Sequence, residues 1–256
     1  WVGNGSTSGP PPYAANTSWE WVVEEKASVP RAGSAGGRLF WDELFRAMAA
    51  DGLTTYKLDH SQQQMPNMQY LLTKVGATVG WLTDMAAAAA AHGVTKQYGG
   101  HISSGFLHSV MLPNAVVARV SDDYIPGVQR PPGACASATN EVVSPRGNVL
   151  MGKNSLYPWA VGLVPYKDAF LTADQRWNDT TCFQSSTYTK PEWWGLQEAY
   201  PELNAVVATL SFGPVAPGDG IGDTDATLVA RTCTANGTLL KPDRPALAID
   251  AVWTRT

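Results

Sequence analysis

The chain has few of the residues that mark several large classes of protein. Its 256 residues include only three cysteines, which are far apart and form no C-x-x-C motif: Cys135, Cys182 and Cys233. This spacing argues against a zinc or thiol redox motif, although one disulfide with one unpaired thiol fits the count. Only 16% of residues are charged, and 18 Lys and Arg against 22 Asp and Glu give a net charge of −4. The charge balance predicts no nucleic-acid partner, since it provides no basic surface.

Long apolar runs and phosphate-binding loops are also missing. No run of 18 apolar residues occurs, and the alanines at 86–91 lie within a helical pattern, so the sequence predicts no membrane span. No G-x-G-x-x-G or G-x-x-x-x-G-K-[ST] follows a predicted strand, and GDGIGD at 218–223 resembles a glycine loop only weakly. The common nucleotide-binding folds are therefore disfavoured.

What the sequence does contain indicates a secreted globular protein. Hydrophobic residues make up 44% of the chain, enough for the core of one large domain or of part of one. We interpret 1–18 as a Gly/Pro/Ser-rich loop segment and 19–256 as one domain. The chain begins at Trp1 without an initiator methionine or signal peptide, so we expect a further segment upstream. Four N-glycosylation sequons favour secretion into the extracellular space or an endomembrane lumen: Asn4, Asn16, Asn178 and Asn236.

Strand-like and helix-like segments alternate along the chain, which is typical of parallel α/β architecture. Predicted strands fall at 19–25, 54–60, 94–100, 114–121, 167–172 and 210–215. Predicted helices fall at 40–52, 79–93, 103–113, 148–162 and 201–210. A doubly wound sheet and a (β/α)8 TIM-type barrel both fit this alternation. The barrel is favoured because polar residues recur just beyond predicted strand ends: Asp59, His101, Asp122, Asp123, Asp168 and Asp219. Six strands would make a partial barrel, about strands three to eight, with the first two upstream.

Two of these carboxylates have a spacing that suits glycoside cleavage. Asp59 and Asp122 are separated by one βα unit, so in a barrel they would lie on alternate strands of one mouth. Retaining cleavage needs two carboxyl groups roughly 5 Å apart. Lys57 is two residues before Asp59 and faces the same side, where it would favour the ionised carboxylate. A strand-end aspartate also commonly caps a helix or binds loop amides, so that alternative stays open.

Aromatic and histidine residues are open to two interpretations. Loop tryptophans stack on sugar rings or pack in a core, and three lie in one predicted loop: Trp177, Trp193 and Trp194. His92, directly before Gly93 at a predicted helix end, suits a structural role. His101 at a strand end is ambiguous.

Five segments, in order from 52 to 250, resemble the plant raffinose synthase and alkaline α-galactosidase group of glycoside hydrolase family 36, clan D. YKLDHSQ resembles that group's V-K-V-D-x-Q strand, and RVSDDYIP resembles its R-A-S-D-D-F-x-P. KDAFLT is similar to W-D-M-F-H-S, and SFGPVAPGDGIGD to Y-V-S-D-x-P-G. ANGTLLKPDRPALAID is similar to L-R-x-x-x-P-G-R-P-T-x-D. The glycine- and proline-rich second half departs from the family, and its N-terminal β-sandwich and C-terminal sheet domain have no counterpart here.

The resemblance implies an α-galactoside as substrate, a retaining double displacement and no metal or organic cofactor. It carries the nucleophile onto Asp59 and the acid/base onto Asp122, with Asp123 as the second candidate. The remaining polar and aromatic candidates would bind the substrate: Lys57, Arg119, His101, Asp168, Trp177, Trp193, Trp194 and Asp219. The acceptor, water or another sugar, stays open, so a transglycosylase fits equally.

Two alternatives belong to other classes. One is a non-catalytic relative that binds glycans or forms a structural part of an extracellular assembly, possible partners being segments or subunits that complete the barrel. The other is an unrelated barrel lyase or epimerase with His101 as its base.

Overall fold

A computed structural model describes residues 18–24, 27–59, 61, 65–99, 103–121, 151–173, 198 and 200–249. The backbone contacts divide the chain into two compact units. The first unit comprises Trp1–Ala118 with Val161–Leu163, and the second comprises Arg119–Ala160 with Val164–Thr256. Residues 1–17 of the predicted loop segment lie outside the described residues.

The first two strands form an antiparallel hairpin. Strand β1 is Trp21–Val23 and strand β2 is Ser28–Pro30, with Trp21 opposite Pro30. The sequence predicts β1 within a longer strand at 19–25, but as a member of the parallel sheet. That prediction is wrong because β1 pairs with a segment only a few residues further on, and so short a connection permits only antiparallel pairing.

The described part of the chain contains one four-stranded parallel sheet. Its strands are β3 (Thr55–Leu58), β4 (Thr95–Tyr98), β5 (Ala115–Arg119) and β6 (Val164–Tyr166), in the order β3-β4-β5-β6. Strands that follow one another in the chain are therefore neighbours in the sheet, and the predicted α/β class is confirmed. Thr55 lies opposite Thr95 and Leu58 opposite Tyr98, and the β4–β5 register shifts between Lys96 and Gln97.

Four of the helices that the structure describes belong to the first unit. They are α1 (Ala35–Ala50), α2 (Gln69–Thr73), α3 (Ala77–Ala91) and α4 (Ser103–His108). Helices α1 and α3 pack together, with the rings of Trp41 and Trp81 edge to face at 5.7 Å. Phe45 and Met85 are fully buried there, and Leu58 and Tyr98 join the same cluster from the sheet. One face of β3 and β4 is thus covered by helices.

Helix α1 begins five residues before the predicted start at 40. Ser34 caps it, its hydroxyl accepting the N–H of Gly37. The sequence hides this start because two glycines follow, which favour loops. Both are buried, and a Cβ at Gly36 would lie 2.5 Å from the backbone nitrogen of Glu20. The glycines therefore permit close packing against the hairpin instead of ending the helix.

The second unit has shorter elements and a smaller core. Residues 151–154 are helical, followed by α5 (Leu156–Ala160), α6 (Pro201–Leu210) and α7 (Ala226–Ala230). Its apolar cluster joins α6 and α7 to the segment after β6: Phe170, Ala205, Ala208 and Leu228.

Two predicted strands of this unit are misplaced. Strand β6 precedes the predicted strand at 167–172, where Phe170 forms only an isolated bridge with Pro217. The predicted strand at 210–215 does not form, because α6 continues to Leu210 and Phe212 adopts a positive φ of 79° in the following turn. The apolar residues there follow a helix end and not a strand period. Among the helices described, none is long and apolar enough to cross a membrane.

Candidate functional site

An ion pair at the end of strand β3 is the centre of the candidate site. Leu58 is buried beneath the helices, so the period of two places Lys57 and Asp59 on the opposite face. The Nζ atom of Lys57 lies 2.8 Å from Oδ2 of Asp59, and the two side chains are 40% and 27% exposed. The carboxylate is thus held by a cation and remains accessible to solvent.

The surrounding face of the first unit is polar. The hydroxyls of Thr55 and Thr95 lie 2.9 Å apart across β3 and β4, two residues before Lys57 and Gln97 respectively. Gln97 lies opposite Lys57 in the register of the two strands. Side chains on one face of neighbouring strands lie side by side, so these hydrogen-bonding groups share the face of the sheet that carries Asp59.

Gly99 lets the ion pair lie directly against strand β4. Its N–H donates to the carbonyl of Leu58 at 2.8 Å and so extends the ladder by one residue. A Cβ at this position would lie 2.6 Å from Cγ of Asp59 and 2.7 Å from Cε of Lys57, closer than packed atoms come. Sequence reasoning missed this role, although the doublet Gly99-Gly100 directly after a strand was a signal of close approach.

Replacing Gly99 by Ala should push the Lys57–Asp59 pair away from β4. We expect a loss of about 1–3 kcal/mol in the free energy of unfolding, from overpacking against the two side chains. Denaturant unfolding measures this loss. Gly80→Ala in α3 is the matched control, because its Cβ would lie 3.3 Å from Cβ of Ala32 and the helix gains propensity.

Removing the obstructing carboxylate should relieve the overpacking. Gly99→Ala should therefore cost less in an Asp59→Ala background than in the wild type. An equal cost in both backgrounds would show that the Gly99 contact with Asp59 is not responsible.

In the second unit, two predicted substrate-binding residues contact each other. Arg119, at the end of β5, donates from Nη1 to Oδ2 of Asp168 at 3.0 Å, and the side chains are only 10% and 20% exposed. The N–H of Asp168 donates to the hydroxyl of Ser121 at 2.9 Å. This largely buried pair fixes the segment after β6 against the end of β5.

Lys167 adds a second buried cation that the sequence analysis did not single out. Its Nζ donates to the carbonyls of Asp168 at 3.3 Å and Ala169 at 3.2 Å. Burial lowers the pKa of Lys167 to about 8, although the carboxylates of Asp168 and Glu198 oppose the shift. Glu198 is itself buried and accepts the N–H of Tyr200 at 2.7 Å. The adjacent charges of Lys167 and Asp168 in a largely apolar segment were the available signal.

Asp219 binds Thr172, in the segment that follows β6, through both of its carboxylate oxygens. Its Oδ1 accepts the N–H of Thr172 and its Oδ2 accepts the Thr172 hydroxyl, both at 2.8 Å. The same hydroxyl oxygen accepts the N–H of Asp225, which caps α7. These contacts match the alternative in which a strand-end aspartate satisfies loop groups.

The structure places two further residues discussed from the sequence. Asn236 is exposed in a turn, where a sequon is accessible, and its Oδ1 accepts the N–H of Thr238 at 3.2 Å. His92 caps the end of α3, with Nε2 2.8 Å from Oδ1 of Asp42, in the structural role expected of it.

Several predicted site residues lie outside the described part of the chain: Asp122, Asp123, His101, Trp177, Trp193, Trp194, Asn4, Asn16 and Asn178. Within the part that is described, no group of three or more His, Cys, Asp or Glu side chains is arranged to hold a metal ion.

No protein-family model matches the chain, and no match was found among curated proteins.

Proposed function

We propose that the protein cleaves or transfers α-linked galactosyl groups by a retaining double displacement. The observation that supports this most directly is the Lys57–Asp59 pair, an accessible carboxylate held by a cation at the end of a parallel strand. Strand ends of parallel sheets are where α/β enzymes place reacting groups. The polar face of β3 and β4 offers further hydrogen-bonding groups for sugar hydroxyls.

In the proposed first step, an Oδ atom of Asp59 attacks the anomeric carbon and the bond to the leaving oxygen breaks. Asp122 donates its proton to that oxygen, with Asp123 as the second candidate for this role. In the second step, the deprotonated Asp122 takes a proton from water or from a sugar hydroxyl. That oxygen then displaces Asp59 from the anomeric carbon, which restores the starting configuration.

The parallel strand order supports the finer proposal that this sheet is part of a (β/α)8 barrel. Such barrels are wound in one direction, so each strand lies beside the next strand in the chain. We also propose that the protein is secreted and glycosylated, with exposed Asn236 as one acceptor. Further segments or subunits would complete the barrel.

Covalent trapping tests the proposed nucleophile. A fluorinated, activated α-galactosyl donor slows the second step more than the first, so the full-length protein should accumulate one galactosyl ester. Peptide mass spectrometry should locate that ester on Asp59, and Asp59→Asn should not be labelled. The exposed Asp51→Asn variant serves as the control and should be labelled like the wild type.

Two results would contradict the proposal. Labelling of another carboxylate would reject Asp59 as the nucleophile. A full-length protein that turns over no α-galactoside, and still binds glycans after substitution of both Asp59 and Asp122, would instead be a non-catalytic glycan-binding relative.

A further inference from the structure

A lysine lies inside the core of the first unit without a hydrogen-bond acceptor among the described residues. Lys96 is in strand β4 and is 0% exposed, and its Nζ finds no hydrogen-bonding partner there. Lys96 and Tyr98 are two residues apart in the strand, so both side chains lie on the face that the helices cover. The Nζ atom lies over the Tyr98 ring, 5.1 Å from its centroid. An ammonium in such a place pays its desolvation cost almost uncompensated.

Among the described residues, the titratable groups around Lys96 bring no negative charge to it. Tyr56 lies opposite Lys96 in β3, and burial raises the pKa of Tyr56 and raises the pKa of Tyr98 to about 12, so both phenols stay neutral. Helix α3 packs on β4, and its one acidic residue, Asp84, accepts the N–H of Gly33. The strand β5 partner of Lys96 is Ala115.

A second buried basic group, His108, ends helix α4. Phe106 of the same helix packs edge to face on Tyr98 at 5.8 Å. Both ring nitrogens of His108 are buried and lack a partner in the described ranges. Burial, together with the charge of Lys96, lowers the pKa of His108. The two elements joined by the Phe106–Tyr98 contact thus each carry a buried base that is best accommodated without its proton.

We propose that Lys96 and His108 form an acid-sensitive device in which protonation loosens helix α4 from strand β4. The two bases would then be like charges, with no counter-ion for Lys96 among the residues described around it. Opening of the α4–β4 contact would let water reach both. Gly99, which contacts the Lys57–Asp59 pair, follows β4 directly, so opening would also disturb the candidate site.

The direction of the pH effect follows from proton linkage. Burial lowers the pKa of Lys96 from 10.5 to about 7, so between these values the unfolded chain binds a proton that the folded chain lacks. Stability therefore rises with pH across that window, and below it the full cost of the buried ammonium is present. His108 adds to the loss as pH falls further, because its pKa is also lowered from the ordinary value.

Thermal unfolding of the full chain at several pH values tests the device. We expect the wild-type midpoint to rise by about 5 °C or more between roughly pH 6 and pH 9. Lys96→Met should raise the midpoint most at the acidic end of the range. The plot of midpoint against pH should also become flatter, because the variant lacks the amine that takes up a proton on unfolding. Lys74→Met, at an exposed position after α2, is the matched control and should keep the wild-type pH dependence.

Hydrogen exchange, corrected for its intrinsic pH dependence, locates the effect. Peptides covering 95–111 should exchange faster at about pH 6 than at about pH 8 in the wild type, and His108→Phe should reduce the difference. A flat wild-type midpoint, or a Lys96→Met curve parallel to it, would overturn the proposal. If Lys96→Met does not fold, an exchange rate in 95–111 that is independent of pH in the wild type would overturn it instead.

Discussion

Asp59→Asn should lower the turnover of every α-galactoside by about 10⁴-fold or more, the size of loss seen when a covalent nucleophile is removed. The amide has nearly the volume of the carboxylate but cannot attack the anomeric carbon. The fold should survive, because the Lys57–Asp59 pair is partly exposed and such pairs contribute at most about 1 kcal/mol. Steady-state kinetics of the full-length variant, with unfolding measured in parallel, separates loss of chemistry from loss of structure.

The proposed acid/base provides an internal comparison. Asp122→Ala removes proton donation but leaves the nucleophile, so an activated aryl galactoside, whose leaving group needs little protonation, should still form the ester. Added azide should then restore turnover in Asp122→Ala and not in Asp59→Asn. Rescue of both variants, or of neither, would contradict the assigned roles. Asp51→Asn, an exposed change at the end of α1, should leave the kinetics unchanged.

Arg119→Met should destabilise the second unit by about 3 kcal/mol, because it leaves the largely buried carboxylate of Asp168 without its guanidinium partner. Asp168→Asn should also be destabilising, since the amide cannot balance the charge of Arg119. The double variant should recover part of the loss, because neither charge is then left without the other. Denaturant unfolding of the four proteins gives the coupling energy directly.

An exposed ion pair provides a comparison for the loss of stability expected in Arg119→Met. Arg31 and Glu20 lie 3.8 Å apart with side chains 50% and 48% exposed, so Arg31→Met should change stability by no more than about 1 kcal/mol. If Arg119→Met cost as little, the Arg119–Asp168 pair would not stabilise the second unit. Both residues would then remain available for the substrate-binding role that their sequence positions suggest.

The sequence alone determined those helices and strands whose local hydrophobic pattern matches the burial of their residues in the folded protein. The alternation of helix and strand predicted β3, β4, β5 and α3 close to where they lie, and the period of two placed Lys57 and Asp59 on one face. These predictions depend only on residues that are close in the chain. The same locality explains the misplaced strand at 210–215, where a helix end and a turn produce apolar residues at strand-like spacing.

The tertiary structure decided what each side chain meets across the sheet. In β4, Lys96 and Tyr98 form one face and Thr95 and Gln97 the other, and the pattern does not say which face the helices cover. Tyr98 packs against α4, and Lys96 lies on the same face of the strand and is buried with it. Gly99 belongs to the other face, where it lies beside Asp59. Burial and close approach depend on residues distant in sequence. Local periodicity therefore predicted the carboxylate, whereas the glycine beside it and the buried lysine required the fold.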